Sequence, residues 1–276
     1  MPGELGRIAT NLNSMSVLLT LNSLNNKLST TMERITTGQK VNKAADDPAA
    51  FALGKKQTIK INFEQAAQNN IKEAYSMLQV AESQQGRAQD LLMDITSDLQ
   101  RAMSSTVGST EREVINTKLQ QYLNEIKDIA GTTKFNGVKL LSASSMNFII
   151  QVGETGKDVL TAVISGIGLS SLGINGISAT SRSAASAALS AVTKALSSLT
   201  IRRENIGARM SRLSQKLESL SVDILNTQSA RSLYLDADIA QEEVNMVKYQ
   251  ILQSASISML AQANSAPQTL LQLLPR

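Results

Sequence analysis

The chain has 276 residues, enough for one or two domains with a sizeable core, yet only 3% are aromatic and none is Trp, beside 42% apolar residues. That balance excludes a thick centre filled with large rings and predicts thin layers of Leu, Ile, Val and Ala between long helices. Cys and His are both absent, which removes thiol nucleophiles, disulfides, most zinc sites and the usual proton shuttle, and the net charge of +4 comes from basic and acidic residues that alternate, without the basic stripe and interleaved aromatics of a nucleic-acid binder.

No N-terminal stretch combines a basic start, a continuous apolar run and a small-residue cleavage site, and no run of about eighteen apolar residues occurs, so neither Sec export nor a membrane span is expected. The four prolines stand at 2, 48, 267 and 275, leaving 49–266 open to uninterrupted helix. From Ile8, the positions Leu12, Met15 and Leu19 begin an apolar stripe. Leu21, Leu24, Leu28, Thr31 and Ile35 continue it with a small shift of phase, at the three-and-four spacing of a helical seam. Gly38 is placed to close that helix, with the Arg34 cation near the negative end of its dipole. Asp46-Asp47-Pro48 predicts the start of the next one, an Asp accepting backbone N–H bonds before a Pro whose missing N–H costs nothing in a first turn.

The second helix is predicted from Pro48 to about Ser104. Its heptad seam is Ile71, Ala74, Leu78, Ala81, Gln85, Ala88, Leu92, Ile95, Leu99 and Ala102, with only Gln85 polar. After a Ser-rich turn, Thr110 and Glu113 suggest a capping box for a third helix, with Ile115, Leu119, Tyr122, Ile126 and Ile129 on its seam and Gly131 at its end. Phe135-Asn136-Gly137 reads as a turn, and alternation at Phe148, Ile150, Val152 and at Leu160, Ala162 predicts a β-hairpin within about 134–164. Gly- and Ser-rich residues 165–182 read as a loop. A long helix then carries Leu189, Val192, Leu196, Leu199, Ile206, Met210, Leu213, Leu217, Leu220 and Ile224, interrupted by Arg203. A break near Tyr234-Leu235-Asp236 lets Asp236 or Asp238 cap a last helix, with Val244, Val247, Ile251, Ser254, Ser258 and Ala261 on its seam and Asn264 with Pro267 at its end.

The fold class expected is therefore mainly α: a long antiparallel helical bundle or coiled coil with a small β-hairpin, and paired terminal helices. The domains expected are 1–45 with 235–276 as the terminal pair, and 46–234 as bundle plus hairpin. Asp46-Asp47 and Glu242-Glu243 are the only paired carboxylates that suggest acid–base work. Neighbours on a helix do not face one another, so both pairs read as first-turn charges. Arg202, Arg203, Arg209 and Arg212 read as a solvated or subunit-contact strip. No catalytic residue, metal site or cofactor is expected.

The string ERITTGQKVNKAADDPAAFALGKK at Glu33–Lys56 resembles the N-terminal signature of bacterial flagellins, E-R-L-S-S-G-x-R-I-N-x-A-x-D-D-A-A-G. Gln262-Ala263-Asn264, Pro267-Gln268 and the tail Leu270-Leu271-Gln272-Leu273-Leu274 resemble the flagellin C-terminus, and Phe135-Asn136-Gly137 resembles the turn after its third helix. The resemblance spans the chain and implies a self-assembling subunit of the extracellular flagellar filament, in a minimal form lacking variable outer domains. It implies terminal helices in the inner layer of the tube and the bundle in the outer one. It also implies type III export with an export chaperone, and contact with a cap protein and hook-associated proteins. A hook–filament junction protein, or a secreted coiled-coil effector or adhesin, is the alternative reading.

In flagellins sensed by the vertebrate Toll-like receptor, an L-Q-R-x-x-x-L stretch on the second helix and a Glu on the third form the epitope. Aligned backward from Phe135-Asn136-Gly137, the Arg position is Asp94, the second Leu is Asp98 and the Glu is Lys118, although a Leu-Gln-Arg also stands at 99–101. The resemblance thus implies weak or absent activation of that receptor.

Overall fold

The computed structural model describes residues 11–142 and 145–272, with side chains as far as 265, so the expectations at Ile8 and for the apolar C-terminal side chains lie outside the described residues. Six helices and two small antiparallel strand pairs follow in the order α1 (Leu12–Thr37), α2 (Pro48–Ala102), α3 (Ser109–Thr132), β1 (Lys134–Phe135), β2 (Val138–Lys139), β3 (Met146–Gln151), β4 (Val159–Ile164), α4 (Leu169–Leu172), α5 (Arg182–Leu235) and α6 (Ile239–Gln272). The chain divides into two compact units. One holds the residues up to Ile59 together with those from Thr227 onward, and the other is Lys60–Asn226.

In the Lys60–Asn226 unit the core is a single cluster drawn from α2, α3, α5 and the β3–β4 hairpin. All ten positions of the expected α2 ladder are buried, including the polar Gln85, whose Nε2 donates to the Ser165 carbonyl at 3.2 Å. Leu78, Leu92, Ile95 and Leu99 are fully enclosed, as are Leu199 and Ile126; Ile115, Leu119, Ile206 and Leu213 are buried, and Leu196 and Leu217 are packed at its edge. On α3 the inner position is Leu123, with Tyr122 turned partly outward, because Leu119, Leu123 and Ile126 keep the four-and-three step. Ion pairs between Arg101 and Glu111 at 2.6 Å and between Asp98 and Lys118 at 2.9 Å run α3 antiparallel to α2. Arg203 with Glu82, and Gln68 with Ser221 at 3.0 Å, do the same for α5.

Several local expectations are corrected. The capping box at Thr110 and Glu113 is not formed: the α3 N-cap falls two residues earlier, on Gly108, without a side-chain cap, and the helix runs past Gly131 to Thr132. Arg112 instead closes the preceding turn by donating to the carbonyls of Ala102 and Ser104, both at 2.9 Å. Residues 165–182 are more than a loop. They include the helical turn α4 and bury Ile167, Leu172, Ile174 and Ala179, apolar residues too sparse in sequence to show a period.

Three of the four arginines of the strip are tied within the chain, and Arg212 is exposed. Arg202 donates to the Gly166 carbonyl and to the Ser171 carbonyl and hydroxyl, both Ser171 contacts at 3.0 Å. Arg203 crosses to Glu82 and Gln89 beside Gly86, and Arg209 donates to the Thr161 carbonyl at 2.6 Å. Burial lowers the pKa of Arg202 from its ordinary value, yet an Arg cannot lose its charge at any ordinary pH, so these cations act as donors that fasten the hairpin side of the bundle.

The hairpin matches its alternation. β3 and β4 pair Phe148 with Ala162 and Ile150 with Leu160, and Ile150, Val152, Ala162 and Ile164 face inward. Asn136 and Gly137 have φ of 48° and 81°, the left-handed pair that a two-residue turn between β1 and β2 requires.

Candidate functional site

The two terminal helices and the link between α1 and α2 carry the sequence signatures, and they build one antiparallel pair with a closed hinge. Gly38 ends α1 in the left-handed conformation at φ 70°, its N–H returning to the Arg34 carbonyl at 2.8 Å. The chain then pairs with the α5–α6 break: Lys40 N–H donates to the Leu235 carbonyl at 2.7 Å and Ala237 N–H to the Gly38 carbonyl at 2.9 Å. Asp46 turns its carboxylate back onto the N–H groups of Lys43 and Asn42, which hold its pKa below the ordinary 3.8. Asp47 is the helix cap, accepting from Ala49 and Ala50 N–H at 3.0 and 2.9 Å, with Pro48 at the first helical position as expected. Gly54 leaves room for the buried Leu235, since a Cβ there would lie 2.5 Å from its Cγ. Asp238, of the two candidates, caps α6 by accepting from Gln241 N–H at 3.2 Å.

Along α1 the inward positions are Ser14, Val17, Leu21, Leu24, Leu28, Thr31 and Ile35, an unbroken heptad ladder. Leu21, Leu24, Leu28 and Ile35 stand where the sequence puts them, whereas Leu12, Met15 and Leu19 do not begin this seam and face outward. On α6 the correction is larger. Its inward ladder is Glu242, Met246, Tyr249, Gln253, Ser256, Leu260 and Ala263, and the expected seam residues Val244, Val247, Ile251 and Ala261 are exposed. Val244 and Ile251 each lie two residues from the inward positions on either side, about 200° round the helix, and Val247 lies about 100° from Met246 and about 200° from Tyr249 at 3.6 residues per turn.

The cause is a set of polar rungs that fixes rotation and register. Arg34 pairs with the largely buried Glu242 at 3.2 Å, and Gln253 Nε2 donates to Asn25 Oδ1 at 2.6 Å. The Ser14 hydroxyl donates to Asn264 Oδ1 at 2.8 Å. Apolar residues on α6 are spread round the helix, so sequence period alone could not choose between the two faces. The signal that could have chosen is the polar match of Arg34 with Glu242 and Asn25 with Gln253, whose numbers sum to nearly the same value in an antiparallel pair. Glu242 is thus an ion-pair partner within the terminal pair, not a free acid for catalysis.

Of Asp94, Asp98 and Lys118, the last two meet. The Asp98–Lys118 ion pair joins α2 to α3, and the Lys118 ammonium lies 5.3 Å from the centre of the Tyr122 ring. Contact first with Asp98 and then with Tyr122 raises the Lys118 pKa above its ordinary 10.5. Asp94 is exposed on the same helix. Among the described residues no three metal-ligating side chains converge. One described helix, α5, is long and apolar enough by composition to cross a membrane, and Ala185, Ala188, Val192, Ala195 and Leu199 of that helix are buried in the bundle.

Comparison with known proteins agrees with this layout. The family model for the bacterial flagellin N-terminal helical region matches residues 8–146, and that for the C-terminal helical region matches 189–274. A flagellin of Halalkalibacterium halodurans is 29% identical over 88% of this chain and 90% of its own length. The flagellar filament 30.7 kDa core protein of Treponema maltophilum is 29% identical over 96% of this chain and 98% of its own. A solved structure from Vibrio parahaemolyticus, assigned to a flagellar hook-associated protein, shares the fold with a TM-score of 0.59 over 69% of this chain and 99% of that one, at 15% identity. With both terminal regions matched in order, the chain belongs to the bacterial flagellin family, a non-enzymatic structural subunit that polymerises into the flagellar filament used for motility.

Proposed function

We propose that the outward faces of α1 and α6 are the surfaces on which neighbouring subunits pack, with the 1–45 and 235–276 segments forming the inner layer of the filament and 46–234 the outer one. The observation that carries this reading is the exposure of Leu12, Met15, Val244, Val247 and Ile251 in a single chain, while Glu242, Gln253 and Ser256 are among the α6 residues turned inward. A helix apolar on the side away from the helix it pairs with leaves that area to be buried by other copies, and a chain that polymerises supplies them. The same greasy termini suit a subunit exported through the flagellar type III channel, held before export by a chaperone, added beneath a cap protein and joined to hook-associated proteins. Because the chain has no Cys, Val247→Cys introduces a single reporter thiol. It should react readily with a maleimide in the monomer and be protected at least tenfold in the filament. Equal labelling of both forms would place the subunit contact elsewhere.

The reading extends to immune recognition. Asp94 and Lys118 reverse the epitope charges, and Lys118 is held by Asp98 where a family epitope offers Leu and Glu. In a reporter-cell assay for the flagellin-sensing Toll-like receptor, the purified monomer should give a weak or absent response. A response equal to that of a sensitive flagellin at the same concentration would overturn it.

A further inference from the structure

α6 continues as helix to Gln272, although Asn264 and Pro267 are expected to end it. Proline 267 has no N–H, so the carbonyl four residues earlier, that of Ala263, has lost its donor within the helix. That carbonyl is not left empty: Asn11 Nδ2 donates to it at 2.7 Å. The other end of the same amide is also used, since Asn11 Oδ1 accepts from Ser14 N–H at 3.0 Å and caps α1. The two contacts fix which end of the amide is which, because only the NH2 can donate to a carbonyl and only the oxygen can accept from an N–H. Ser14 then donates to Asn264 Oδ1 at 2.8 Å, one residue beyond the orphaned carbonyl.

We propose that Asn11 is the positioning residue that carries α6 through Pro267, so that the start of α1 and the continuation of α6 order as one unit. A proline inside a helix both removes a donor and pushes the carbonyl behind it aside. A carbonyl displaced in that way accepts from outside the helix, and the α1 N-cap stands where the outside donor is needed. Asn offers the acceptor for the cap and the donor for a second helix on two separate atoms; Asp keeps the cap but has no donor, and the hydroxyl of Ser or Thr would have to accept and donate through one short-reaching oxygen. The pairing therefore makes residue 11 dependent on residue 267, a coupling that neither helix shows by itself.

The test is hydrogen exchange, read by mass spectrometry on filaments of the full chain, comparing peptides that cover 264–272. Asn11→Asp retains the cap acceptor and removes the donor, and should speed exchange there about five- to tenfold, the weight of one lost hydrogen bond, with peptides from 60–226 unchanged. Pro267→Ala restores an N–H to the Ala263 carbonyl, so in that background Asn11→Asp should change exchange by less than about twofold. If Asn11→Asp prevents assembly outright, adding Pro267→Ala should restore it. No change on Asn11→Asp, equal acceleration in both backgrounds, or failure of the rescue would each overturn the proposal.

Discussion

Val247→Asp combined with Ile251→Asp should abolish filament growth while leaving the free chain folded. The two side chains stand one turn apart on the outward face of α6, 49% and 64% exposed, and touch none of the polar rungs toward α1. In the monomer, replacing exposed apolar groups away from any contact changes stability by at most about 0.5 kcal/mol each. On the proposed packing the same positions are covered in the filament. Each subunit then loses roughly 1.5 to 3 kcal/mol of apolar burial per side chain, and it must also desolvate two carboxylates, at a cost of several kcal/mol each where they are left unpaired. The loss recurs at every subunit added, so growth stops and is not merely slowed.

The measurement is negative-stain microscopy of chain monomerised by heat, cooled and seeded with short fragments of native filament, alongside circular dichroism of the unseeded monomer. Long tubes growing from the seeds at the native rate would remove the α6 outer face from the assembly surface. Loss of helix signal in the monomer would show that these residues hold the chain itself together.

The bundle was legible in the sequence because its seam is apolar and singular. From Ile71 to Ala102 each three-or-four step lands on a residue that the structure buries, and one polar exception, Gln85, has a carbonyl waiting for it. The hinge was legible for a different reason. Gly38, Asp47 and Pro48 each supply a backbone requirement that few other residues meet, so type and position were enough. The terminal pair was only half legible. Leu21 to Ile35 has one apolar stripe and its face followed from it, but α6 carries apolar residues on more than one side and its orientation is set by Arg34–Glu242 and Asn25–Gln253. A stripe read as the contact between helices was in fact the face left over. The ties of Arg202, Arg203 and Arg209 within the chain are not legible in the sequence because their partners are carbonyls and side chains far along the chain, none of which leaves a spacing signal.

Leu92→Ala should lower the stability of the Lys60–Asn226 unit by about 3 to 5 kcal/mol, and Leu217→Ala by only about 1 to 2 kcal/mol. Both leucines stand on the expected seam and both lose the same three carbons, so sequence alone ranks them equally. Leu92 is fully enclosed on α2 within the cluster that also holds Leu99, Leu119, Ile126 and Leu199. Removing its branch leaves a dry void that long, straight helices cannot collapse to fill, which adds a cavity cost to the lost transfer energy. Leu217 lines an open cleft with Ile71, Tyr75 and Leu213, so truncation there admits water and forfeits little more than the transfer term.

For a unit of this size the first substitution corresponds to a midpoint lower by roughly 10 °C, read by thermal circular dichroism of the monomer. Equal losses at the two sites would mean that the cleft beside Leu217 is closed in solution. The bundle would then be uniformly packed along α5. A small loss at Leu92 would mean that the helices slide to refill the gap, and the polar ties that fix their register, Arg203 with Glu82 and Lys118 with Asp98, would have to yield first.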